Sequence, residues 1–260
     1  MPLLSVQNLH TWYPVKRGLL ARTVAYVRAV NGVSFTLEAG RTLGIVGQSG
    51  SGKSTLARTL LKLEKPHAGT LLLDGADITR LRGAALRAYR RAVQVIFQDP
   101  FASLNPRLTV LELVTEGMVA HGLTTPSTRR ADATALLQQV GLDAAALDRY
   151  PHAFSGGQRQ RICIARALSL QPRLLICDEA VSALDLSIRA QILNLLVELQ
   201  QQRGLAYLFI THDLSVVQHI ADTLAVMHQG QIIEHGPTAD IITNPQTPYT
   251  RQLLSDQLTL

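Results

Sequence analysis

Hydrophobic and polar residues alternate at the start of the chain. Residues 3–13 and 23–36 place apolar side chains at or near every second position, and this period predicts two half-buried antiparallel strands. Residues 14–22, between them, read Pro-Val-Lys-Arg-Gly-Leu-Leu-Ala-Arg, which predicts a loop. We therefore expect the chain to begin with antiparallel β-structure.

Further along, short apolar runs are separated by segments of helical period. The apolar runs predict buried strands. These are residues 41–46, 69–75, 93–97, 174–177, 205–211, 223–227 and 231–234. The helical periods cover residues 55–61 and 186–202. Strands separated by helices indicate a parallel sheet with right-handed crossovers.

A block without any strand pattern, residues 105–170, interrupts this alternation. Its predicted helices are residues 108–119, 129–140 and 157–170. Glycines end the first two, as they end many helices. We interpret the block as a helical insertion. The tail from Pro237 has a helical period at first and is then punctuated by prolines.

Composition places the chain among globular proteins. Of its 260 residues, 47% are hydrophobic and 17% are charged, which suits a folded protein rather than a disordered one. No stretch approaches the roughly 18 apolar residues of a membrane-spanning helix, and the first residues lack the pattern of a signal peptide. Cys163 and Cys177 have neither metal-ligand nor redox spacing, so we predict reduced, buried thiols. These observations favour the cytoplasm.

The net charge of +6 is compatible with a nucleic acid or an anionic membrane as partner. The densest basic cluster falls on one predicted helix and has no interleaved aromatic residues. It consists of Arg80, Arg82, Arg87, Arg90 and Arg91. A solvated helix face is the favoured interpretation, and we predict no nucleic-acid partner.

The most specific motif is Gly47-Gln-Ser-Gly-Ser-Gly-Lys-Ser-Thr55, which fits the phosphate-binding loop G-x-x-x-x-G-K-[ST]. Glycines let backbone N–H groups converge on phosphate oxygens, and the following helix N-terminus adds partial positive charge. Lys53 is predicted to reach the β- and γ-phosphates, and Ser54 to bind Mg²⁺. The predicted contacts are Gly47, Ser49, Gly50, Gly52, Lys53, Ser54 and Thr55. An ordinary Gly/Ser turn is the alternative.

Two carboxylates, Asp178 and Glu179, follow the apolar run of residues 174–177. In an α/β sheet, ligands bind at the carboxyl ends of the strands. Asp178 is predicted to lie on the Mg²⁺ side, and Glu179 to orient or deprotonate an attacking water. A surface turn is the alternative interpretation.

The sequence Ser155-Gly156-Gly157-Gln158 opens another predicted helix and offers a second anion site. The alternative is an N-cap serine followed by two flexible glycines. Because this motif is far along the chain from the phosphate loop, we infer that one nucleotide is gripped from two sides.

Further candidate residues follow predicted strands or turns. Gln98 follows Val-Ile-Phe, Asp185 lies just past the carboxylate pair, and His212 follows a buried strand. His212 would arrive at the edge where the phosphates bind and could contact the γ-phosphate, with a structural histidine as the alternative. Tyr13 or Trp12, at the end of the first predicted strand, offers a flat face on which a base could stack.

These motifs together carry a family resemblance. In order they are the phosphate loop, Gln98, Ser155–Gln158, Asp178, Glu179, Asp185 and His212. They resemble the ATP-binding subunit of an ABC transporter over nearly the whole chain. The resemblance implies a P-loop NTPase α/β fold with a mainly parallel sheet, an N-terminal antiparallel β-subdomain and an inserted α-helical subdomain. The implied parts are an ATP-binding core of residues 1–98 and 172–236, a helical subdomain of residues 99–171, and a tail of residues 237–260.

The resemblance also implies ATP and Mg²⁺ as ligands and a role for each motif. Ser155 to Gln158 would face ATP bound to the opposite subunit of a head-to-tail dimer, with two ATP molecules between the subunits. Gln98 would touch Mg²⁺, Asp185 would lie at the dimer seam, and Tyr13 would stack on adenine. The helical subdomain would dock a coupling helix of the membrane partner.

Finer features are similar to those of peptide and nickel importer ATPases. They are the segment 97–107, the long loop after Tyr13 and the tail segment 244–250. We therefore expect an importer of peptides, nickel or metal-chelate or opine-like solutes. Ala180 follows the carboxylate pair, as in similar Asp-Glu-Ala sequences of nickel-type importers. This resemblance slightly favours a metal or metallophore as the cargo. The chain lacks the tail cysteines that bind an iron–sulfur cluster in several relatives, so no cluster is expected.

The implied partners are two membrane permease subunits, a second ATPase subunit that is non-identical or identical, and indirectly a solute-binding protein. The implied location is the cytoplasmic face of the inner or plasma membrane, as a peripheral subunit. Rival interpretations are an ABC exporter ATPase, a non-transport ABC ATPase acting on ribosomes or nucleic acid, and a P-loop kinase. An exporter would share every core motif, and a kinase would lack the motif at residues 155–158.

Overall fold

The structure is a computed structural model that describes residues 1–17 and 22–258. The chain divides into two compact units. Unit 1 is Met1–Arg87 together with Ala206–Leu260, and unit 2 is Ala88–Leu205. The domain boundaries expected at residues 98, 171 and 236 stay predictions.

The secondary structure alternates between strands and helices outside a long helical stretch. The strands of the described chain are β1 (Leu4–Arg17), β2 (Arg22–Leu37), β3 (Thr42–Val46), β4 (Ala68–Leu73), β5 (Ala76–Asp77), β6 (Val93–Phe97), β7 (Leu174–Asp178), β8 (Ala206–Ile210), β9 (Thr223–His228) and β10 (Gln231–Pro237). The α-helices are α1 (Lys53–Leu60), α2 (Gly83–Ala92), α3 (Pro100–Ser103), α4 (Val110–Ala120), α5 (Arg129–Gln139), α6 (Gly156–Leu168), α7 (Leu186–Arg203), α8 (Leu214–Ile220), α9 (Thr238–Thr243) and α10 (Pro248–Leu258).

Unit 1 contains an antiparallel sheet with the strand order β2-β1-β4-β5. β1 is central, because Leu4 pairs with Leu37 of β2 on one side and with Leu73 of β4 on the other. Its inward side chains, such as Val6 and Leu9, are buried. The antiparallel start of the chain is therefore confirmed.

The predicted loop at residues 14–22 is wrong at both ends. β1 continues to Arg17 and β2 begins at Arg22, while residues 18–21 of the predicted loop lie outside the described residues. The side chains of this extension are exposed and show no apolar alternation. Backbone hydrogen bonds rather than burial join the two strands here, so hydrophobic patterning could not reveal them.

The remaining strands of unit 1 follow the order β10-β9-β3-β8. β3 is parallel to both β9 and β8, and β10 is antiparallel to β9. Every residue of β3 and β8 is buried, which explains why both read as continuous apolar runs. Helix α8 covers β3 where Gly44 leaves room for the side chain of Val217.

Unit 2 combines the parallel pair β6 and β7 with helices. Residues 99–171, all of them described, contain helices and no strand, which confirms the helical character predicted for this block. Helix α6 supplies much of its core, and Ile162 and Ile164 are fully buried. The short helix α3 was not predicted, and the Asp99 carboxylate caps it by accepting a hydrogen bond from the Phe101 N–H at 2.7 Å.

Two other assignments differ from the sequence patterns. Helix α2 begins at Gly83, so Arg80 and Arg82 of the predicted basic cluster lie before the helix and not on it. The proline-punctuated tail forms a second helix, α10, which begins at Pro248. Proline fits there because the N–H groups of a first helical turn need no partner within the helix. Among the described helices, none combines the length and apolarity needed to span a bilayer.

We predict that Gly44→Ala destabilises unit 1. A Cβ atom at Gly44 would lie 2.5 Å from Cγ1 of Val217 and 3.2 Å from Cβ of Ala221, so the packing of α8 on β3 must change. Overpacking of this kind lowers the free energy of unfolding by about 1–3 kcal/mol, as measured by urea denaturation. Gly236→Ala is the matched control, since its Cβ would lie 3.9 Å from the nearest atoms of Ile241. Equal stability of the two variants would contradict the tight packing.

Candidate functional site

The phosphate loop joins the end of β3 to the start of α1. Gly50 and Gly52 have φ angles of 80° and 108°, in the region that favours glycine. A Cβ atom at Gly52 would lie 2.0 Å from the Ala29 carbonyl oxygen, and one at Gly47 would lie 2.2 Å from the Met227 carbonyl oxygen. The loop can follow this path only because glycine occupies these positions.

Lys53 is folded back onto the loop. Its Nζ donates hydrogen bonds to the carbonyl oxygens of Gly47 at 2.7 Å and Gln48 at 3.0 Å, and its side chain is buried. The Ser51 hydroxyl is also buried and has no hydrogen-bond partner within the described residues. A buried cation and an unsatisfied hydroxyl in the same loop are the features expected where a polar, anionic ligand binds.

The phosphate loop and the start of α1 offer N–H donors, positive charge and a hydroxyl that a triphosphate with Mg²⁺ could bind. The N–H groups of the first turn of α1 have no acceptor within the helix, and the helix N-terminus carries partial positive charge. Ser49, Gly50 and Ser54 are exposed and Thr55 is half-buried, so a ligand can reach this surface. The Ser54 hydroxyl is an oxygen donor of the kind that Mg²⁺ prefers. The residues present therefore fit a magnesium-bound nucleoside triphosphate.

His212 lies at the same edge of the sheet as the phosphate loop. Ile210, the last residue of β8, pairs with Ile45 of β3. The hydrogen bonding between the two strands extends one residue past β8, because the Thr211 N–H donates to the Ile45 carbonyl oxygen at 3.1 Å. The His212 side chain is exposed. Adjacent parallel strands thus deliver His212 and the loop to one side of unit 1.

Trp12 and Tyr13 lie within β1 and not at its end as predicted. The Trp12 ring stacks on the His67 ring with 5.4 Å between centroids, and the Arg28 guanidinium lies over it at 5.1 Å. Protein groups therefore already contact the Trp12 ring. Tyr13 and Trp12 are both half-buried, so it is the contacts already made by the Trp12 ring that favour Tyr13 as the aromatic for a base.

In unit 2, three candidate residues lie at one end of the parallel pair. Phe97 of β6 pairs with Asp178 of β7, so Gln98 and Glu179 follow neighbouring strands at the same edge. Glu179 has a φ angle of 52°, a left-handed conformation that costs a residue other than glycine free energy and recurs at functional sites. The oxygens of Gln98 and Asp178 are of the type that bind Mg²⁺.

A buried glutamine fixes the turn that follows Glu179. The Gln160 Nε2 donates a hydrogen bond to the Ala180 carbonyl oxygen at 2.6 Å, and Gln160 is fully buried. Sequence reasoning missed this residue. A signal was present, because a glutamine on the apolar face of a helix must find a polar partner inside the protein.

The Ser155–Gln158 motif forms the capped start of α6. The Gln158 N–H donates to the Ser155 Oγ at 3.4 Å, and the Ser155 N–H donates to the Gln158 Oε1 at 3.1 Å, which is a capping box. Ser155, Gly156 and Gln158 are exposed, whereas Gly157 is buried. Ser155, Gly156 and Gln158 at this helix start are thus accessible to an anionic ligand.

Asp185 caps α7 beside this motif. Its Oδ1 accepts hydrogen bonds from the Ile188 N–H at 2.9 Å and from the Ser187 Oγ at 3.1 Å. The Ile188 N–H, followed by the Ser187 hydroxyl, holds the pKa of the Asp185 carboxyl below its ordinary value. The cap fixes the position of Ile188, whose side chain contacts the start of α6 at Gly157.

The candidate residues therefore fall into two groups. The phosphate loop, His212 and Tyr13 belong to unit 1, and Gln98, the Ser155–Gln158 motif, the carboxylate pair and Asp185 belong to unit 2. Both cysteines are free and buried, as predicted. Burial raises the pKa of the Cys163 thiol to about 11, and it also raises that of the Cys177 thiol, which keeps both protonated.

Known proteins are similar to this chain over most of its length. A family profile described as ABC transporter matches residues 30–182. The glutathione import ATP-binding protein GsiA of Pectobacterium atrosepticum is 52% identical over 254 residues, which cover 98% of this chain and 41% of the relative. The protein of the same name from Escherichia coli K12 gives the same values. The chain thus spans about two fifths of the length of these curated relatives.

Solved structures share the fold. The cbiO1 protein from Clostridium perfringens, described as part of the ABC transporter complex cbiONQ, is 28% identical with a TM-score of 0.79, covering 94% of this chain and 91% of that one. The ATP-binding cassette MJ0796, solved as a dimer in a post-hydrolysis state with ADP and Pi, is 28% identical with a TM-score of 0.78, covering 90% and 98%. The predicted fold class is confirmed.

We predict that Gly157→Ala destabilises unit 2 through the contact between α6 and α7. A Cβ atom at Gly157 would lie 2.5 Å from Cγ2 of Ile188, so the variant should lose about 1–3 kcal/mol of unfolding free energy. Gly156→Ala is the control, because its Cβ would meet Leu184 at 3.8 Å. Adding Ile188→Ala removes the clashing methyl and should recover part of the loss in thermal denaturation. A Gly157→Ala protein as stable as Gly156→Ala would contradict the contact.

Proposed function

This chain belongs to the ABC transporter family, and on that premise we propose that it is the ATP-hydrolysing subunit of an importer for peptides or related small solutes. The observation that carries the ATPase proposal is the phosphate loop, in which Gly47 and Gly52 have no room for a Cβ atom and Lys53 is buried. The 52% identity to proteins named for glutathione import supports the importer. Glutathione is a tripeptide, so these relatives support peptide cargo and give no support to the expected tilt towards nickel or metallophores.

Nucleotide binding would use groups that belong to unit 1. The N–H groups of the loop and of the first turn of α1 would donate to phosphate oxygens. Lys53 would exchange the carbonyl oxygens of Gly47 and Gln48 for those of the β- and γ-phosphates. Tyr13 would stack on the adenine ring.

Hydrolysis would depend on the polar residues that end the strands. Glu179 would orient or deprotonate the attacking water, and His212 would contact the γ-phosphate. Ser54, Gln98 and Asp178 would hold Mg²⁺, which when bound neutralises charge on the phosphate oxygens. The Gln160 hydrogen bond to Ala180 would keep the Glu179 turn in one conformation.

The exposed start of α6 supports a second chain as partner. Ser155 to Gln158 would bind the nucleotide held by a second ATPase subunit, identical or not, with Asp185 near the seam between the subunits. ATP contacted by both subunits would bind the closed dimer better than the open one and would therefore favour closure. Hydrolysis would remove the γ-phosphate and end that preference. The dimeric state in which the similar cassette MJ0796 was solved supports this arrangement.

The transport path itself would belong to other subunits. Closure of the ATPase dimer would be transmitted to two membrane permeases. Their coupling helices would dock on the helical block of residues 99–171. A solute-binding protein would act indirectly by delivering cargo to the permeases. In this arrangement the chain is peripheral at the cytoplasmic face of the membrane, and nucleic acid has no part.

Glu179→Gln should retain ATP binding and lose turnover. Removing a general base lowers a rate by about 10²–10⁴-fold, so the variant should hydrolyse ATP at least about 100-fold more slowly. It should also accumulate as an ATP-bound dimer in size-exclusion chromatography. Glu198→Gln, at an exposed position on α7, is the charge-matched control and should keep wild-type turnover. Wild-type rates in Glu179→Gln would remove Glu179 from this role.

Tyr13→Ala should weaken nucleotide binding, while Tyr13→Phe should not. Stacking of an aromatic side chain on a base contributes about 1–3 kcal/mol, which corresponds to roughly a 5- to 150-fold rise in the Kd for ATP. A fluorescent ATP analogue would measure it. If Tyr13→Ala binds as tightly as the wild type, then Trp12 stacks on the base or no side chain does.

A further inference from the structure

A tyrosine from the last described helix contacts the phosphate loop. Tyr249, the second residue of α10, accepts a hydrogen bond at its hydroxyl oxygen from the Gln48 N–H, with 3.1 Å between the two atoms. The two residues are 201 positions apart in the chain, and both belong to unit 1. This contact lies at the entry of the loop, next to Gly47.

The Tyr249 side chain is itself held in place. Its ring packs on the imidazole of His228, the last residue of β9, with 4.0 Å between centroids. The segment before it is anchored to β10, because the Glu234 carboxylate accepts hydrogen bonds from the N–H groups of Gln246 at 2.8 Å and Thr247 at 3.2 Å. The hydroxyl is therefore presented to the loop by ordered parts of the sheet.

Three residues form hydrogen bonds with the backbone of the phosphate loop. Tyr249 binds the Gln48 N–H, and Lys53 binds the carbonyl oxygens of Gly47 and Gln48. The Gly230 N–H, in the turn between β9 and β10, donates to the Ser51 carbonyl oxygen at 2.9 Å. Of these three contacts, the one from Lys53 would be given up when its ammonium group moves to a phosphate.

We propose that Tyr249 is a positioning residue for ATP binding. It holds the entry of the phosphate loop while Lys53 leaves the carbonyl oxygens of Gly47 and Gln48 for the nucleotide. The inference rests on the proposed ATPase function. When only a fraction of the loops is in the binding conformation, the apparent affinity for the ligand is reduced by that fraction. Loss of the hydroxyl leaves the Gln48 N–H without this acceptor and so lowers the fraction.

Tyr249→Phe tests the proposal, because it removes the hydroxyl and keeps the ring on His228. The Kd for the fluorescent ATP analogue and the KM for ATP should both rise about three- to tenfold, the range that one hydrogen bond contributes. The kcat at saturating ATP should stay within about twofold, because the hydroxyl touches no reacting atom. Hydrogen exchange at the Gln48 amide, measured without nucleotide, should become faster. His228→Ala, which removes the support of the ring, should act in the same direction.

Tyr150→Phe is the matched control, since it removes the hydroxyl of an exposed tyrosine of unit 2. It should leave affinity and exchange unchanged. Wild-type affinity and wild-type exchange at Gln48 in Tyr249→Phe would overturn the proposal, as would a fall in kcat without a change in KM. Failure of the wild-type chain itself to bind ATP would instead refute the proposed function. The exchange at Gln48 would then decide alone whether Tyr249 anchors the loop.

Discussion

Close contact between backbone segments is the constraint on which the phosphate loop depends. The loop runs so near to the carbonyl oxygens of Ala29 and Met227 that Gly52 and Gly47 have no room for a Cβ atom. These contacts come from β2 and β9, strands of two different sheets of unit 1. The glycines are therefore required twice, once to expose N–H groups to a ligand and once to let the loop fit between its neighbours.

Unit 2 relies on the same kind of close approach. Gly157 brings the start of α6 against Ile188 of α7, and the Gln160 amide reaches the turn after Glu179. The capped start of α6 and the turn after β7 are thus joined by packing and by one buried hydrogen bond. A buried amide that loses its partner costs about 1–3 kcal/mol, so this bond favours a single conformation of the turn. In each unit, residues outside the candidate site hold the candidate residues in place. In unit 1 these are Ala29 and Met227, and in unit 2 they are Ile188 and Gln160.

The sequence predicted elements well where burial produces a clear period. β3 and β8 are buried along their whole length and read as continuous apolar runs. Glycines follow α4 and α5, and capping boxes open α4 and α6. The predictions failed where backbone pairing continues without burial. β1 extends to Arg17 with exposed side chains, and the start of α2 after Arg82 left no mark in the charge pattern. Hydrophobic periodicity reports which faces are buried and says nothing of where backbone pairing or a helix stops once the side chains are exposed.

The candidate site divides in the same way. The sequence by itself determined the family, the fold class and the phosphate loop, because glycines, a lysine and a hydroxyl at fixed spacing are local requirements of phosphate binding. Only the tertiary structure decided what surrounds the loop. It gave the Trp12 ring its partners His67 and Arg28, it directed Gln160 to Ala180, and it brought Tyr249 to Gln48. These contacts join residues far apart in the chain, and their distances depend on how strands and helices pack, which no local spacing of residue types records.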